Sequence, residues 1–486
     1  MPKIKATVSE NVNKYVAEYP RVFQTDGYVL FCKICNKIVS SEKKYQVDQH
    51  LRTLKHRELY ERRTLIAAST EAGFNEFSMD LCEAFISADI PLSKLSNPQL
   101  STFLRTYTNE HIPQESTELK TYIDQIYIRL LNEMKNTLKH HFLWVSIDET
   151  TDIQGRYVAN VIVGILHENE DIRNKKFLLN VVELDKINYA TISRAFNDSI
   201  TLLGEDFDKN KVLLFLTNSA SYMAKAARGL KIFYPKLLHV TCLALSIHRL
   251  AEEISSHFNE LNLLISNGGK LFLKAPSRVQ VFNAKFPGIP LPLEPITTRW
   301  GTWLDAVKYY AQNLEEFAAV VAELDDSDSK SIKNIKQLLS LPSIKSQLFF
   351  VHNNYGFLCE VIKKLEGSNS LRDAVDLVDT SIKRIYDVKG TIGQEIMKTS
   401  NLIFQKNKGF LEIRTLARIL EFNESCSKTK YNLNELSAFK YAPLTFFDVE
   451  RSFSSYENYL GPNGESFVFE NFKKIFFVYA NKAINK

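Results

Sequence analysis

What the chain has little of narrows what it can be. Six cysteines in 486 residues do not make a disulfide scaffold. Cys82, Cys242, Cys359 and Cys426 are scattered and read as reduced thiols, and only Cys32 and Cys35 are close neighbours. No apolar run approaches the roughly 20 residues a membrane-spanning helix needs; Val212 to Leu216 is representative of the runs present. Met1 to Lys5 carry no apolar signal stretch. An intracellular protein with no membrane partner is expected. There are no internal repeats and no low-complexity segments. A net charge of +5 is compatible with nucleic acid but does not establish it.

What is present is ordinary in bulk and specific in pattern. The hydrophobic fraction of 45% and charged fraction of 24% suit a globular protein. The length predicts roughly two to four domains with a sizeable core.

The first pattern is Cys32-x2-Cys35, a gap of fourteen residues, then His50-x5-His56. Two thiolates on a short turn and two imidazoles on a following helix can close a tetrahedral Zn2+ site. Tyr28 to Phe31 are strand formers leading into Cys32, so the order reads as a ββα zinc finger. The stretch from Gln46 to Tyr60 reads as helix. A step of six residues is about 120° off register on an ideal helix, so the turn before His56 should be loosened. Basic residues crowd the module, among them Lys33, Lys37, Lys43, Lys44, Arg52, Lys55 and Arg57, with Arg62 and Arg63 beyond. Such side chains neutralise phosphates without choosing sequence. Sequence choice would come from the helix face, with Gln46, Gln49, Arg52 and Thr53 as candidates; the alternative is a merely solvated face.

Three helical stretches follow, from Phe74 to Ala88, Asn97 to Thr106 and Glu118 to His141. From Leu143 the periodicity changes to that of strands. Leu143 to Ile147 reads as a strand ending at Asp148; Tyr157 to Leu166 and Phe177 to Leu184 are the next two. Ile192 to Leu203 is a helix, Val212 to Leu216 a fourth strand closing near Asn218, Ala220 to Leu230 a helix, Leu237 to Cys242 a fifth strand, and a helix runs on to Glu253. The order βββαβαβα is that of an α/β, ribonuclease-H-like core, in which the first and fourth strands lie side by side. The chemistry of such a fold needs divalent ions held by carboxylates. Asp148 and position 218 should then be adjacent, and position 218 should be an aspartate. Asn218 offers a neutral amide instead, which weakens Mg2+ or Mn2+ binding. Glu205, Asp206 and Asp208 precede the strand and are too far along the chain to substitute, whereas Glu149 and Asp152 are near enough to compensate.

These residues resemble the hAT superfamily of DNA transposases, collinearly along nearly the whole chain. Ser146 to Asp152 is similar to its first catalytic motif and Leu216 to Met223 to its second, with Asn218 in place of Asp. His239 to Leu245 resembles a C-x-x-H element with Leu245 where His is expected, and Thr298 to Trp303 the arginine–tryptophan element of the helical insertion. Ala442 to Ser454 resembles the C-terminal element. The finger resembles a BED-type finger, and together with Leu81 to Tyr122 it is similar to the family of the CGG-triplet-repeat binding protein, nuclear and of hAT origin. The resemblance implies a composite catalytic site of Asp148, Asn218 (degenerate) and Glu450. It implies DNA contacts from Arg299 and Trp300, the latter stacking on an extruded base unless it packs in the core; for Trp303 core packing is the expectation. It also implies self-association through the aromatic-rich segment from Leu436 to Phe477, unless those aromatics fill an internal core.

The expected organisation is therefore a BED-type finger at 1–66, a helical linker or DNA-binding domain at 67–141, the first part of the core at 142–260, a helical insertion at 261–430, and a C-terminal core helix with a dimerisation region at 431–486. The expected function is a nuclear protein that binds double-stranded DNA, a homodimer or higher oligomer. It would be a transcriptional regulator domesticated from a transposon or a degenerate transposase, with impaired two-metal chemistry and Zn2+ in its finger. Two alternatives stay open. One is an active hAT-family transposase using Mg2+ or Mn2+ for strand cleavage and transfer. The other is an interaction scaffold that uses only the aromatic C-terminus.

Overall fold

The computed structural model describes residues 8–20, 22–25, 28–35, 37–53, 56–57, 75–114, 116–292, 294–295, 301–367, 370–422, 429–461 and 468–484. The chain divides into two compact units, residues 1–128 and 129–486.

The first unit opens with helix α1 (Val8–Glu18), which the strand-first reading of the finger did not anticipate. A small antiparallel sheet follows, β1 (Phe23–Thr25), β2 (Leu30–Cys32) and β3 (Lys37–Val39), in the order β1-β2-β3. Helix α2 (Lys44–Leu51) completes it, so the ββα order is present with one extra strand before it. Val12, Tyr15, Phe23, Leu30 and Val47 are fully or nearly fully buried together, giving this short module a core of its own. α2 is shorter than its sequence suggests. Arg52 caps it, Thr53 turns its hydroxyl back onto the His50 carbonyl, and His56 and Arg57 begin a new helical turn. That break removes the six-residue register conflict between the two histidines. Helices α3 (Glu76–Ser87) and α4 (Pro98–Thr108) follow, each started by an asparagine whose side chain accepts from the first-turn N–H groups. Helix α5 (Ser116–Leu138) runs across the division between the units.

The second unit is built on a five-stranded mixed sheet: β4 (Phe142–Thr151), β5 (Tyr157–Leu166), β6 (Lys176–Leu184), β7 (Val212–Thr217) and β8 (Leu238–Thr241), in the order β6-β5-β4-β7-β8. The first three strands are antiparallel, while β7 and β8 are parallel to β4 and to each other. Parallel pairing needs crossovers, and helices α6 (Tyr189–Thr201) and α7 (Ser221–Leu230) supply them. Helix α8 (Leu243–Ser256) leaves β8 and enters a long helical region extending from Asn259–Phe272 to α9 (Thr391–Lys406) and α10 (Lys408–Phe422). The chain returns to the sheet as α11 (Phe447–Leu460), packed on β4 and β5, and α12 (Phe469–Ile484), packed on β6.

Register fixes the two faces. Asn160 of β5 donates to Ser452 of α11, and Asn180 of β6 donates to Ser199 of α6. Asn160 lies opposite Val181, so Asn180 points the other way. α11 and α6 therefore cover opposite faces. Trp144 lies opposite Gly164 on the α11 face, where any side chain at 164 would collide with the indole ring. Six of the C-terminal aromatics are internal, Phe439, Phe446, Tyr456, Phe472, Phe476 and Phe477, all nearly fully buried, while Tyr441, Phe447 and Phe469 are half-buried and Phe467 lies outside the described residues. Of the two uses weighed for that segment, core filling is what these side chains do.

Candidate metal and nucleic-acid sites

In the first unit the four sulfur and nitrogen donors of Cys32, Cys35, His50 and His56 lie within 4.8 Å of one another. β2 ends on Cys32, the following turn carries Cys35, α2 presents His50, and the turn after the helix break returns His56. The His56 Nδ1 sits 3.2 Å from the Cys35 sulfur and 3.5 Å from the Cys32 sulfur. Burial, with His56 and Lys37 nearby, pushes the His50 imidazole down to about 4, and burial lowers His56 as well. Both rings are thus neutral and able to ligate. The Nε2 of His50 is buried without a hydrogen-bond partner, a cost a native core rarely tolerates unless a ligand satisfies it. The residues fit Zn2+: two soft thiolates and two imidazoles would hold it, and the ion would cross-link strand, turn and helix.

The exposed face of α2 carries Tyr45, Gln49 and Arg52, spaced by four and three residues and so on one side of the helix. Gln49 and Arg52 are where the sequence placed them. Gln46 is half-buried, and its side-chain oxygen accepts from the Lys43 N–H and the Ser40 hydroxyl, which commits it to starting the helix. Tyr45, 60% exposed, joins the same face and was not singled out by the sequence. Arg57 is exposed beyond the helix break. Lys55, Arg299 and Trp300 lie outside the described residues. Trp303 is described, and its indole N–H donates to Asn262 at 2.7 Å in a core-packed position.

In the second unit Asp148 and Asn218 meet. β4 and β7 run parallel with Ser146 beside Leu216, so both residues stand two positions past the last paired rung. The Asn218 amide donates from Nδ2 to Asp148 Oδ1 at 2.9 Å, and its Oδ1 accepts from the Ala220 N–H at 2.9 Å. Both bonds demand that orientation, because the flipped amide would set oxygen against carboxylate and NH2 against N–H. β4 does not stop at Asp148; it stays paired with β5 as far as Thr151. Asp148, opposite Asn160, therefore faces α11, which carries Glu450. Burial and the adjacent Glu149 push the Asp148 carboxyl up to about 7. Burial, then Asp148 and Glu366, push Glu450 up to about 8. Glu366, at the end of the helix Leu358–Glu366, joins this group without any sequence signal to mark it, and burial raises its pKa too.

The two carboxylates considered as substitutes behave differently. Asp152 is built into the structure: it pairs with Arg156 at 2.7 Å, accepts from the N–H groups of Gln154 and Arg156, and receives the Tyr456 hydroxyl. Burial opposes its charge, but these donors outweigh it and hold its pKa below the usual range. It is not available to a metal. Glu149 follows Asp148 on the strand and so points toward the other face, where one oxygen receives the Tyr222 hydroxyl and the other is buried without a partner. Among the described residues the Cys/His quartet is the group whose ligand atoms gather to metal-binding distance; the core carboxylates do not. With Asn218 presenting NH2 to Asp148, the core donors as arranged do not fit a two-ion cage.

Leu245 packs against the core at the start of α8, and His239 is bonded to the Thr217 hydroxyl at 2.8 Å, so neither brings an imidazole to Asp148. Residues 4–61 match the family described as the CGGBP1 N-terminal domain. Residues 98–271 match a domain of unknown function, DUF659. No curated protein matches the chain significantly. The two matches relate the chain to DNA-binding, transposase-associated families, and the first spans the whole Cys/His quartet.

Proposed function

We propose that the protein is a zinc-dependent, sequence-directed binder of double-stranded DNA, derived from a hAT transposase, whose ribonuclease-H-like core has lost efficient phosphodiester chemistry. In this reading residues 1–66 are a BED-type finger, 67–141 a helical linker, 142–260 and 431–486 the core, and 261–430 its insertion. Asp148, Asn218 and Glu450 are the remnant of the catalytic triad. The protein acts in the nucleus as a regulator of transcription or persists as a degenerate transposase. Self-association through this segment would draw on exposed apolar side chains such as Leu433 and Val468. The observation that carries the reading is the contrast between a converged Cys/His quartet and an Asn218 amide that gives Asp148 a hydrogen bond instead of a shared cation. The test is selection of duplexes from a random pool by the full chain, with and without a zinc chelator. An enriched motif that vanishes on chelation is expected; enrichment untouched by chelation would remove the finger from the account.

A second reading, an active transposase, draws on the unpartnered Glu149 oxygen beside Asp148 and on carboxyls whose raised pKa values a bound cation would relieve. Mn2+-dependent nicking of a hairpin-forming duplex that disappears in Asp148→Ala would establish it in place of the first.

A further inference from the structure

We propose that a basic groove at the outer edge of the core sheet holds the phosphodiester backbone of a nucleic-acid strand, at a site separate from the finger. β8 is the last strand of the sheet, so its outer edge offers backbone groups to whatever lies beside it. The segment between α9 and α10 closes part of that edge. Asn407 donates from Nδ2 to the Thr241 carbonyl at 2.8 Å and accepts the Thr241 N–H at 3.3 Å, imitating a strand partner. Gly409 lies so close to the His239 carbonyl that any side chain there would collide. These two buried residues fix the segment, and Lys406 and Lys408, flanking Asn407, are exposed.

Across the groove α7 contributes Arg228, with Lys231 at its end, and α8 contributes Arg249, whose guanidinium donates to the Ser219 hydroxyl. The groove has a volume of about 510 Å³ and is lined by these five cationic side chains and one carboxylate, Glu412. The whole chain nets only +5, so this place concentrates a charge that the composition does not show. Some lysines elsewhere in the unit are paired, as Lys176 is with Asp448 and Lys236 with Glu435. Arg228, Lys231, Lys406 and Lys408 have no acidic partner among the described residues. Like charges held together without counter-charges repel, and a polyanion relieves them while releasing its own counterions. Ser219 follows Asn218, so a strand in the groove leads toward the Asp148–Asn218 pair. The choice of nucleic acid over an acidic protein segment rests on the function proposed above.

The test uses the full chain carrying Cys35→Ser, which removes the finger's contribution, and probes of about 20 nucleotides, single-stranded and duplex, over a range of salt. Residual binding is expected, with a log–log salt slope between about −2 and −4. Arg228→Glu with Lys231→Glu, or Lys406→Glu with Lys408→Glu, should lower that affinity at least about tenfold and flatten the slope. The milder Lys406→Gln with Lys408→Gln should act in the same direction and guards against misfolding. The same charge change on a remote helix, Lys330→Glu with Lys333→Glu, should shift affinity by less than about twofold. Absence of residual binding, equal losses from both sets of reversals, or displacement by poly-glutamate as readily as by oligonucleotide would overturn the assignment. Failure of the finger shows separately, as wild-type binding indifferent to chelation.

Discussion

The finger and the core both bring potential metal ligands together, yet they do so under opposite constraints. In the finger the donors come from four short stretches of chain, β2, the turn after it, α2 and the turn beyond the helix break, and their atoms converge on one place where His50 leaves a buried nitrogen without a partner. In the core the acidic groups are near one another, but three of them are already engaged by other side chains. Asp148 takes a hydrogen bond from Asn218, Glu149 from Tyr222, and Asp152 is fixed by Arg156. Proximity of ligand-type residues is therefore not a metal site; convergence of their donor atoms on one place is.

The sharpest way to break this contrast is in the finger. Cys35→Ser should abolish stoichiometric zinc and lower affinity for a selected duplex at least about 100-fold, since specific binding exceeds non-specific binding by about 10³–10⁷. Retained zinc by metal analysis would show that three ligands suffice. Next in size is Asp152→Ala. Removing one partner of a buried pair leaves Arg156 uncompensated and should cost about 3–5 kcal/mol in urea unfolding. A loss below about 1 kcal/mol would return Asp152 to the pool of free carboxylates.

Asn218→Asp is a smaller and more instructive change. It removes a donor and sets two carboxylates at hydrogen-bond distance, which should cost about 1–3 kcal/mol without metal. Millimolar Mn2+ should recover the loss in a thermal melt, more fully with Leu245→His added. No recovery would mean that the core cannot hold a cation even with its missing charge restored.

The most gradual effect is on pH dependence. The folded pKa values of Asp148, about 7, and Glu450, about 8, lie above those of the unfolded chain. The folded state then binds more protons, so stability is full below about pH 4 for these groups and falls as pH rises through 7 and 8. A decline between about pH 4 and pH 8 is expected, and Glu450→Gln should flatten its upper part. An unchanged slope in that variant would place the titration elsewhere.

Much of this was legible in the chain before any coordinates. The order of strands and helices from Phe142 to Ser256 follows from the switch between two-residue and helical periodicities, and the adjacency of Asp148 and Asn218 follows from that order. Cys32, Cys35, His50 and His56 announce themselves by spacing. Other features left no local trace. Tyr45 reaches the exposed face of α2 because the helix starts at Lys44, earlier than its pattern implied. Glu366 joins the acidic group through Glu450, from a helix far back along the chain. Asp152 looked as available as Glu149 until Arg156 and Tyr456 closed around it.

By itself the sequence determined the kinds of ligand, their order and the neutral amide at position 218, because residue type and chain periodicity are local properties. Only the tertiary structure decided which lone pairs are free, which cations of the β8 groove lack a counter-charge, and which of the C-terminal aromatics lie inside. Those outcomes depend on partners brought together from distant segments, and hydrogen bonds and burial are assigned by proximity in space rather than by neighbourhood along the chain.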